Sequence, residues 1–245
     1  MISFLAMRED LGLPRIIQKW KYNIKFRREH PFYFRPDGLL MFVGPQGSGK
    51  TLSAVNYVYR LLELYPKCIL VSNITLTDYP VDNERVFYFE NADDLMKYSN
   101  GEFGVIFLID EIQLYFNSLQ SKNINIDVMT QISQQRKQRK HIVGTSQVFG
   151  RIAKPLREQF SNIVLCKSFF NTLQKNMLID RDSIDSEEST GTNITGKVVK
   201  SFWYIRGPQM FKRYDTYAVI NNPNLEVSVE KQDIYGLNGG VINGN

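Results

Sequence analysis

Short apolar runs recur through the middle of this chain, each followed by a turn and then by a stretch whose apolar positions fall three and four apart. Residues 39–43, Leu-Leu-Met-Phe-Val, predict a buried strand, residues 50–65 a helix, and residues 68–72 a second strand after the break at Pro66. Residues 86–89 predict a short strand and residues 92–98 a short helix closed by Gly101 and Gly104. The run Val-Ile-Phe-Leu-Ile at 105–109 is the most apolar of all. A polar-faced helix is expected over 127–140, with strands at 141–145 and 163–168. Apolar strands that alternate with helices imply a parallel sheet covered on both faces. The expected class is α/β, a mainly parallel sheet sandwiched by helices.

Both ends depart from this pattern. In residues 1–37, Ile16, Ile17, Trp20 and Ile24 fall at helical spacing among Arg15, Lys19, Lys21, Lys25, Arg27 and Arg28, although Tyr22 and Phe26 would also suit a strand after Trp20. This basic amphipathic arm reads either as a helix packed on the core with its charges solvated or as a surface for DNA, a membrane or a neighbouring subunit. Beyond residue 170, the stretch 180–196 is rich in Asp, Ser, Thr, Glu and Gly without apolar periodicity and predicts a mobile loop. Residues 198–205 and 214–220 resume strand character, which predicts a β-hairpin added at the sheet edge or a small β appendage. The expected organisation is an arm at 1–37, a core at 38–170, a β extension at 171–222 and a flexible tail at 223–245.

A chain of 245 residues can bury one α/β core with a modest appendage. Apolar residues make up 43% and charged ones 22%, which excludes a chain too polar to fold. The net charge of +5 favours contact with nucleic acid or an anionic membrane surface. Cys68 and Cys166 each sit in an apolar run, where a thiol behaves as a small hydrophobe, and no disulfide or zinc spacing is present; this usage suits a reducing cytoplasm. No apolar run reaches the roughly 20 residues a spanning helix needs, and the first residues lack the order of a secretory signal.

Gly44-Pro45-Gln46-Gly47-Ser48-Gly49-Lys50-Thr51 spells Gly-x-x-x-x-Gly-Lys-Thr between a predicted strand and a predicted helix. Glycines in such a loop let consecutive backbone N–H groups turn inward toward phosphate oxygens, and the helix beginning at Lys50, Thr51 and Leu52 adds its positive end. Lys50 is placed to meet the β- and γ-phosphates of ATP and Thr51 to meet Mg²⁺. The 105–109 strand ends in Asp110 and Glu111, and ligands of open α/β sheets lie at such carboxyl ends. On a strand expected beside the loop-bearing one, Asp110 would join the Mg²⁺ shell and Glu111 would act as general base on the attacking water. The strand at 141–145 runs into Ser146 and Gln147, so Gln147, or secondly Thr145, is a candidate to orient water or report the γ-phosphate. Arg136, Lys137, Arg139 and Lys140 crowd the end of the preceding helix. They read either as cations complementing the helix dipole or as an arginine finger supplied to a neighbouring subunit, with Arg136 or Arg139 the candidates and Arg151 and Arg157 in reserve.

The order Asp110-Glu111-Ile112-Gln113, then residues 135–141 (Gln-Arg-Lys-Gln-Arg-Lys-His), Thr145-Ser146-Gln147, Arg151-Ile152, Leu156-Arg157 and Tyr214-Asp215-Thr216 resembles the zonular-occludens-toxin-like ATPases of filamentous phages. It is also similar to the wider HerA and FtsK branch of DNA-pumping motors, which includes viral genome-packaging ATPases. The resemblance runs from residue 39 to about residue 220. It implies an additional-strand ATPase core working as a ring, commonly a hexamer, that moves DNA. Carried over position by position, it gives Lys50 and Thr51 to phosphate and metal, Asp110 and Glu111 to metal and water, Gln147 to the γ-phosphate, and Arg136 or Arg139 to the finger. The phage proteins usually carry a membrane span after the ATPase domain, and no such run stands here. The expectation is therefore a motor in the host-cell cytoplasm, attached at most peripherally to a membrane, capsid or portal component. Two other readings share the same loop: a nucleotide-switched assembly scaffold and a small-molecule kinase, the latter disfavoured by the lack of an evident lid.

Overall fold

The computed structural model describes residues 13–36, 38–117, 126–135, 137–180, 183–184 and 196–214. Among these, β1 (Leu39–Val43), β2 (Ile69–Ser72), β3 (Val86–Tyr88), β4 (Val105–Ile109), β5 (Lys140–Ser146), β6 (Phe160–Phe169), β7 (Leu173–Ile179) and β8 (Val198–Ile205) form one sheet in the order β3-β2-β4-β5-β1-β6-β7-β8. The first six strands in that order are parallel, whereas β7 runs antiparallel to β6 and β8 antiparallel to β7. The helices are α1 (Leu13–Glu29), α2 (Lys50–Leu64), α3 (Asp94–Lys97), α4 (Ile126–Gln134), α5 (Lys154–Arg157) and α6 (Pro208–Phe211).

Side chains alternate across a pleated strand, so each apolar run feeds two cores. Leu39, Met41 and Val43 of β1 and Val105, Phe107 and Ile109 of β4 point into a cluster closed by Leu95, Phe116, Val128 and Ile132. Leu40 and Phe42, with Ile106 and Leu108, point the other way onto Ala54, Val55, Val58, Tyr59 and Leu62 of α2. The three-and-four spacing of those α2 residues puts them on one face of the helix, which is why that segment is helical and lies on the sheet. The fold is α/β, as the alternation of apolar runs predicts. Cys68 and Cys166 are buried, and burial pushes both thiols up to about 12, so each is an inert apolar group.

The structure corrects two expectations. β4 does not lie beside β1, because β5 pairs with both and separates them. The helix expected over 127–140 stops at Gln134, and the backbone then turns so that Arg139, at φ 52°, delivers Lys140 into β5. At the sheet edge, β6 and β7 are joined by a turn with Phe170 and Asn171 in left-handed conformation, and residues 198–205 pair with β7. β7 is absent from the sequence expectations. Of the segment 214–220 only Tyr214 is described, in a single antiparallel bridge to Leu76. Residues 1–12, Arg136, most of the loop 180–196, and everything after 214, including the expected tail, lie outside the described residues.

The arm is helical from Leu13, and Tyr22 and Phe26 continue the helix. Its C-terminal end is fixed by Phe26, whose ring meets His30 and Tyr33 at centroid distances of 4.6 and 4.9 Å. His30 Nδ1 in turn lies 3.1 Å from Glu102 Oε2.

Candidate functional site

The loop that leaves β1 turns back on itself before α2 begins. Ser48 N–H donates to Pro45 O at 3.1 Å, and Gly47 and Gly49 have φ of 76° and 81°, a region that L side chains rarely adopt. Gly49 is the residue before the first turn of α2, so the unpaired N–H groups of that turn open onto the loop. Pro45, Gln46 and Gly47 are exposed, Ser48 and Lys50 are buried, and Leu52 is packed into the interior. Lys50 Nζ lies 3.4 Å from Pro45 O and 4.0 Å from Glu111 Oε1, and so bridges the loop and the tip of β4. Ser48 Oγ is buried without a hydrogen-bond partner.

The acids at the β4 tip are held by three neighbouring segments. Asn73, just after β2, donates from Nδ2 to Asp110 O at 2.9 Å and accepts Asp110 N–H at Oδ1 at 2.8 Å, which fixes the backbone at the strand end. Asp110 Oδ1 accepts the hydroxyls of Thr51 on α2, at 2.9 Å, and of Thr145 on β5. Burial pushes the Asp110 carboxyl above its ordinary range, with adjacent Glu111 acting in the same sense, while the two threonine hydroxyls and Lys50 oppose the shift. Glu111 stands in left-handed conformation at φ 48° and ψ 51°, and its N–H donates to Thr145 Oγ1 at 3.0 Å. A non-glycine residue in this region costs energy and persists where neighbours over-determine it, as here. The turn aims the Glu111 carboxylate toward Lys50, where Gln147 Nε2 donates to Oε1 at 3.2 Å and Gln113 Nε2 donates to Oε2.

The residues present fit a Mg²⁺–nucleotide. A hard cation that keeps most of its waters needs one or two protein oxygens plus phosphate, and Thr51 Oγ1 with Asp110 Oδ1 is such a set. Among the described residues there is no group of three or more His, Cys, Asp or Glu that could hold a metal without a phosphate. A buried carboxylate whose pKa is raised by desolvation and an unpartnered buried hydroxyl in the loop are both satisfied by a cation and an anion arriving together.

The remaining sequence candidates separate. Gln147 and Thr145 are at the site. Arg139 is at the opposite end of β5, about 20 Å away for seven residues of strand, with its guanidinium over the Tyr33 ring and Nη2 donating to Tyr33 Oη at 3.0 Å. Within one chain it does not reach the loop. Lys140 is buried and donates to Leu95 O at 2.7 Å, so it too serves the far end of the strand, with its ammonium pKa lowered by burial. Arg151 is exposed just beyond Gln147, and Arg157 is half-buried at the end of α5.

Sequence reasoning missed the support behind the loop. Gln174 on β7, fully buried, donates from Nε2 to Ser48 O at 3.0 Å, and its Oε1 accepts from Arg206 Nε at 2.9 Å and Nη2 at 2.5 Å. Asn176 Oδ1 accepts from Ser53 of α2 at 3.2 Å, and Ser53 also meets Tyr204 Oη of β8 at 2.9 Å. A Cβ built on Gly49 would collide with Gln174 Oε1 and Arg206 Nη2. The two antiparallel strands thus press polar side chains against the outer side of the phosphate loop. The sequence carries little signal for it, because residues 173–179 run Leu-Gln-Lys-Asn-Met-Leu-Ile without a clean polar–apolar alternation.

No protein-family model matches this chain, and no curated protein matches it. Among solved structures, the genome-packaging NTPase B204 of Sulfolobus turreted icosahedral virus 2, bound to AMPPCP, aligns over 67% of this chain and 99% of its own at 13% identity and a TM-score of 0.47. The flagellar accessory protein FlaH from Methanocaldococcus jannaschii aligns over 58% of this chain and 76% of its own at 14% identity and a TM-score of 0.39. The N-terminal domain of zonular occludens toxin from Neisseria meningitidis aligns over 74% of this chain and 100% of its own, at 15% identity and a TM-score of 0.50. With the strand order and the loop between β1 and α2, that likeness makes this a P-loop NTPase fold.

Proposed function

We propose that the chain binds Mg²⁺–ATP at the loop Gly44 to Thr51 and hydrolyses it. The observation that carries the reading is the convergence, at the carboxyl ends of β1, β4 and β5, of Thr51 bonded to Asp110 and of the adjacent Glu111 in reach of Lys50 and Gln147. Loop N–H groups and Lys50 bind the phosphates, while Thr51 and Asp110 hold Mg²⁺, which supplies charge neutralisation at the phosphate oxygens when bound. Water attacks the γ-phosphorus as the bond to the β–γ bridging oxygen breaks, and Glu111 takes the water's proton. Gln147 and Gln113 hold the Glu111 carboxylate in position, and Gln147 is the residue placed to exchange that contact for the γ-phosphate.

The ATP cycle, in this proposal, drives DNA through a ring of subunits for viral genome packaging or virion assembly. Support comes from the order of motifs between residues 110 and 157, the net charge of +5, and the shared fold. Arg139, remote from its own loop, or Arg136 supplies a cation to a neighbour's site.

ATP turnover by wild type, Lys50→Ala and Glu111→Gln, with and without duplex or single-stranded DNA, tests both layers when paired with mass measurement of the assembled species. Wild-type turnover is expected to rise with DNA, Lys50→Ala to lose nucleotide binding, and Glu111→Gln to bind ATP but turn over roughly 10²–10⁴-fold more slowly. Unchanged turnover in Lys50→Ala sinks the ATPase reading, whereas an assembled, active ring indifferent to DNA sinks only the motor.

A further inference from the structure

α1 carries six cations, Arg15, Lys19, Lys21, Lys25, Arg27 and Arg28, against a single carboxylate, Glu29. Phe26 near its C-terminal end packs on His30 and Tyr33, and His30 meets Glu102 of the sheet-bearing core. Six residues at about 100° each place Phe26 about 120° around the helix from Trp20, so the anchoring face is not the apolar stripe. That stripe stands open: Ile16 is 56%, Ile17 49% and Trp20 65% exposed, and Ile24 is half-buried. Lys21, Lys25 and Arg28 line one border of the stripe and Lys19 the other, with Arg27 on a stem long enough to lift its charge out.

We propose that α1 lies in the plane of an anionic lipid surface, with Ile16, Ile17, Trp20 and Ile24 in the acyl boundary and the flanking cations among the headgroups. The charge pattern selects this occupant. Nucleic acid would pair with the cations but leave Trp20 and the isoleucines in water. A second copy packed along the same stripe would set Lys21 and Arg28 against their own like charges, with Glu29 the helix's one acid to relieve them. An anionic bilayer surface uses both halves of the helix, and an interfacial Trp beside Lys and Arg is the composition such helices carry. Among the described residues no helix is long and apolar enough to cross a membrane. The site lies outside the phosphate loop and does not rest on the ATPase reading.

The full chain carries two tryptophans, so Trp203→Phe leaves Trp20 as the sole reporter. That protein is mixed with vesicles of phosphatidylcholine alone, with vesicles containing equal parts phosphatidylglycerol, and with oligonucleotides, reading sedimentation and Trp emission. Expected are co-sedimentation and a blue shift of Trp20 with the anionic vesicles alone, a partition roughly fivefold weaker for each of Lys21→Gln and Arg28→Gln, and one roughly tenfold or more weaker for Ile16→Ser with Ile17→Ser. All four substitutions are at exposed positions, and unchanged circular dichroism verifies that the helix persists. Failure to sediment with anionic vesicles overturns the proposal. So does sedimentation without a Trp20 shift, a shift produced by oligonucleotide instead, or a shift that tracks protein concentration without lipid.

Discussion

Thr145 donates its hydroxyl proton to Asp110 Oδ1 while its own Oγ1 accepts the N–H of Glu111, so one side chain on β5 fixes both acids at the tip of β4. This works because β5 is inserted between β1 and β4, which brings its last residues level with Asp110 and Glu111. Thr145→Val keeps the shape but leaves the Glu111 N–H without its acceptor and Asp110 with one donor fewer. We expect a stability loss of about 1–3 kcal/mol in urea. We also expect kcat to fall roughly a hundredfold, because Glu111 loses its fixed placement. Thr145→Ser, which retains both hydrogen bonds, should recover most of the turnover; equal defects in the two variants would remove Thr145 from the site.

Asp110 is buried and its pKa is raised, first by desolvation and then by Glu111. Between the ordinary carboxylate value near 3.8 and its raised value, the folded protein binds a proton that the unfolded chain has already released. Its contribution to stability is therefore greatest at low pH and is lost as pH rises through that window. Asp110→Asn should accordingly raise the thermal midpoint of the nucleotide-free protein at neutral pH, with the gain shrinking as pH falls toward the ordinary carboxylate range. Adding Mg²⁺ and a nonhydrolysable ATP analogue should reverse the order, stabilising wild type and leaving the variant behind. A nucleotide-free midpoint that falls on substitution at neutral pH would contradict the assignment.

Gln147 Nε2 meets Glu111 Oε1 at 3.2 Å across the gap between β5 and β4. If its role is to hold and release that carboxylate, Gln147→Leu should lower kcat about tenfold, a value of one lost hydrogen bond to a charged group, and leave nucleotide affinity unchanged. Steady-state turnover combined with fluorescent-nucleotide titration separates the two. A weakened Kd with normal kcat would make Gln147 a binding contact only.

The phosphate loop and the acids were legible because backbone chemistry dictates their spelling: Gly47 and Gly49 need positive φ, and Asp110 must follow a strand buried on both faces. Adjacency was not. Nothing in the residues 105–109 or 140–146 states which of two buried strands lies next to β1, since a strand buried on both faces carries no side-specific pattern. The antiparallel edge is hidden for another reason. Gln174 and Asn176 look like loop residues until the strand brings them against Ser48 and Ser53, a long-range satisfaction that local propensity does not encode. Arg139 is a further case. The cationic run does not disclose that the turn into β5 lays it on Tyr33, away from its own chain's loop.

That hidden support yields the most discriminating test. Gln174 ties β7 to the loop through the Ser48 carbonyl, and it also receives both hydrogen bonds of the Arg206 guanidinium, which has no carboxylate partner among the described residues. Gln174→Leu fills the same space but orphans the carbonyl and releases Arg206 next to Gly49. The loop then loses its backing although every residue of the Gly-x-x-x-x-Gly-Lys-Thr sequence is intact. Nucleotide affinity should fall about tenfold, the equivalent of one buried hydrogen bond, without a matching change in Mg²⁺ dependence, because Thr51 and Asp110 are untouched. Arg206→Met, which leaves the Gln174–Ser48 bond in place, should weaken affinity less. If Gln174→Leu folds and binds nucleotide as wild type does, the antiparallel strands are a bystander to the loop; if Arg206→Met is the more damaging of the two, the guanidinium itself meets the phosphates.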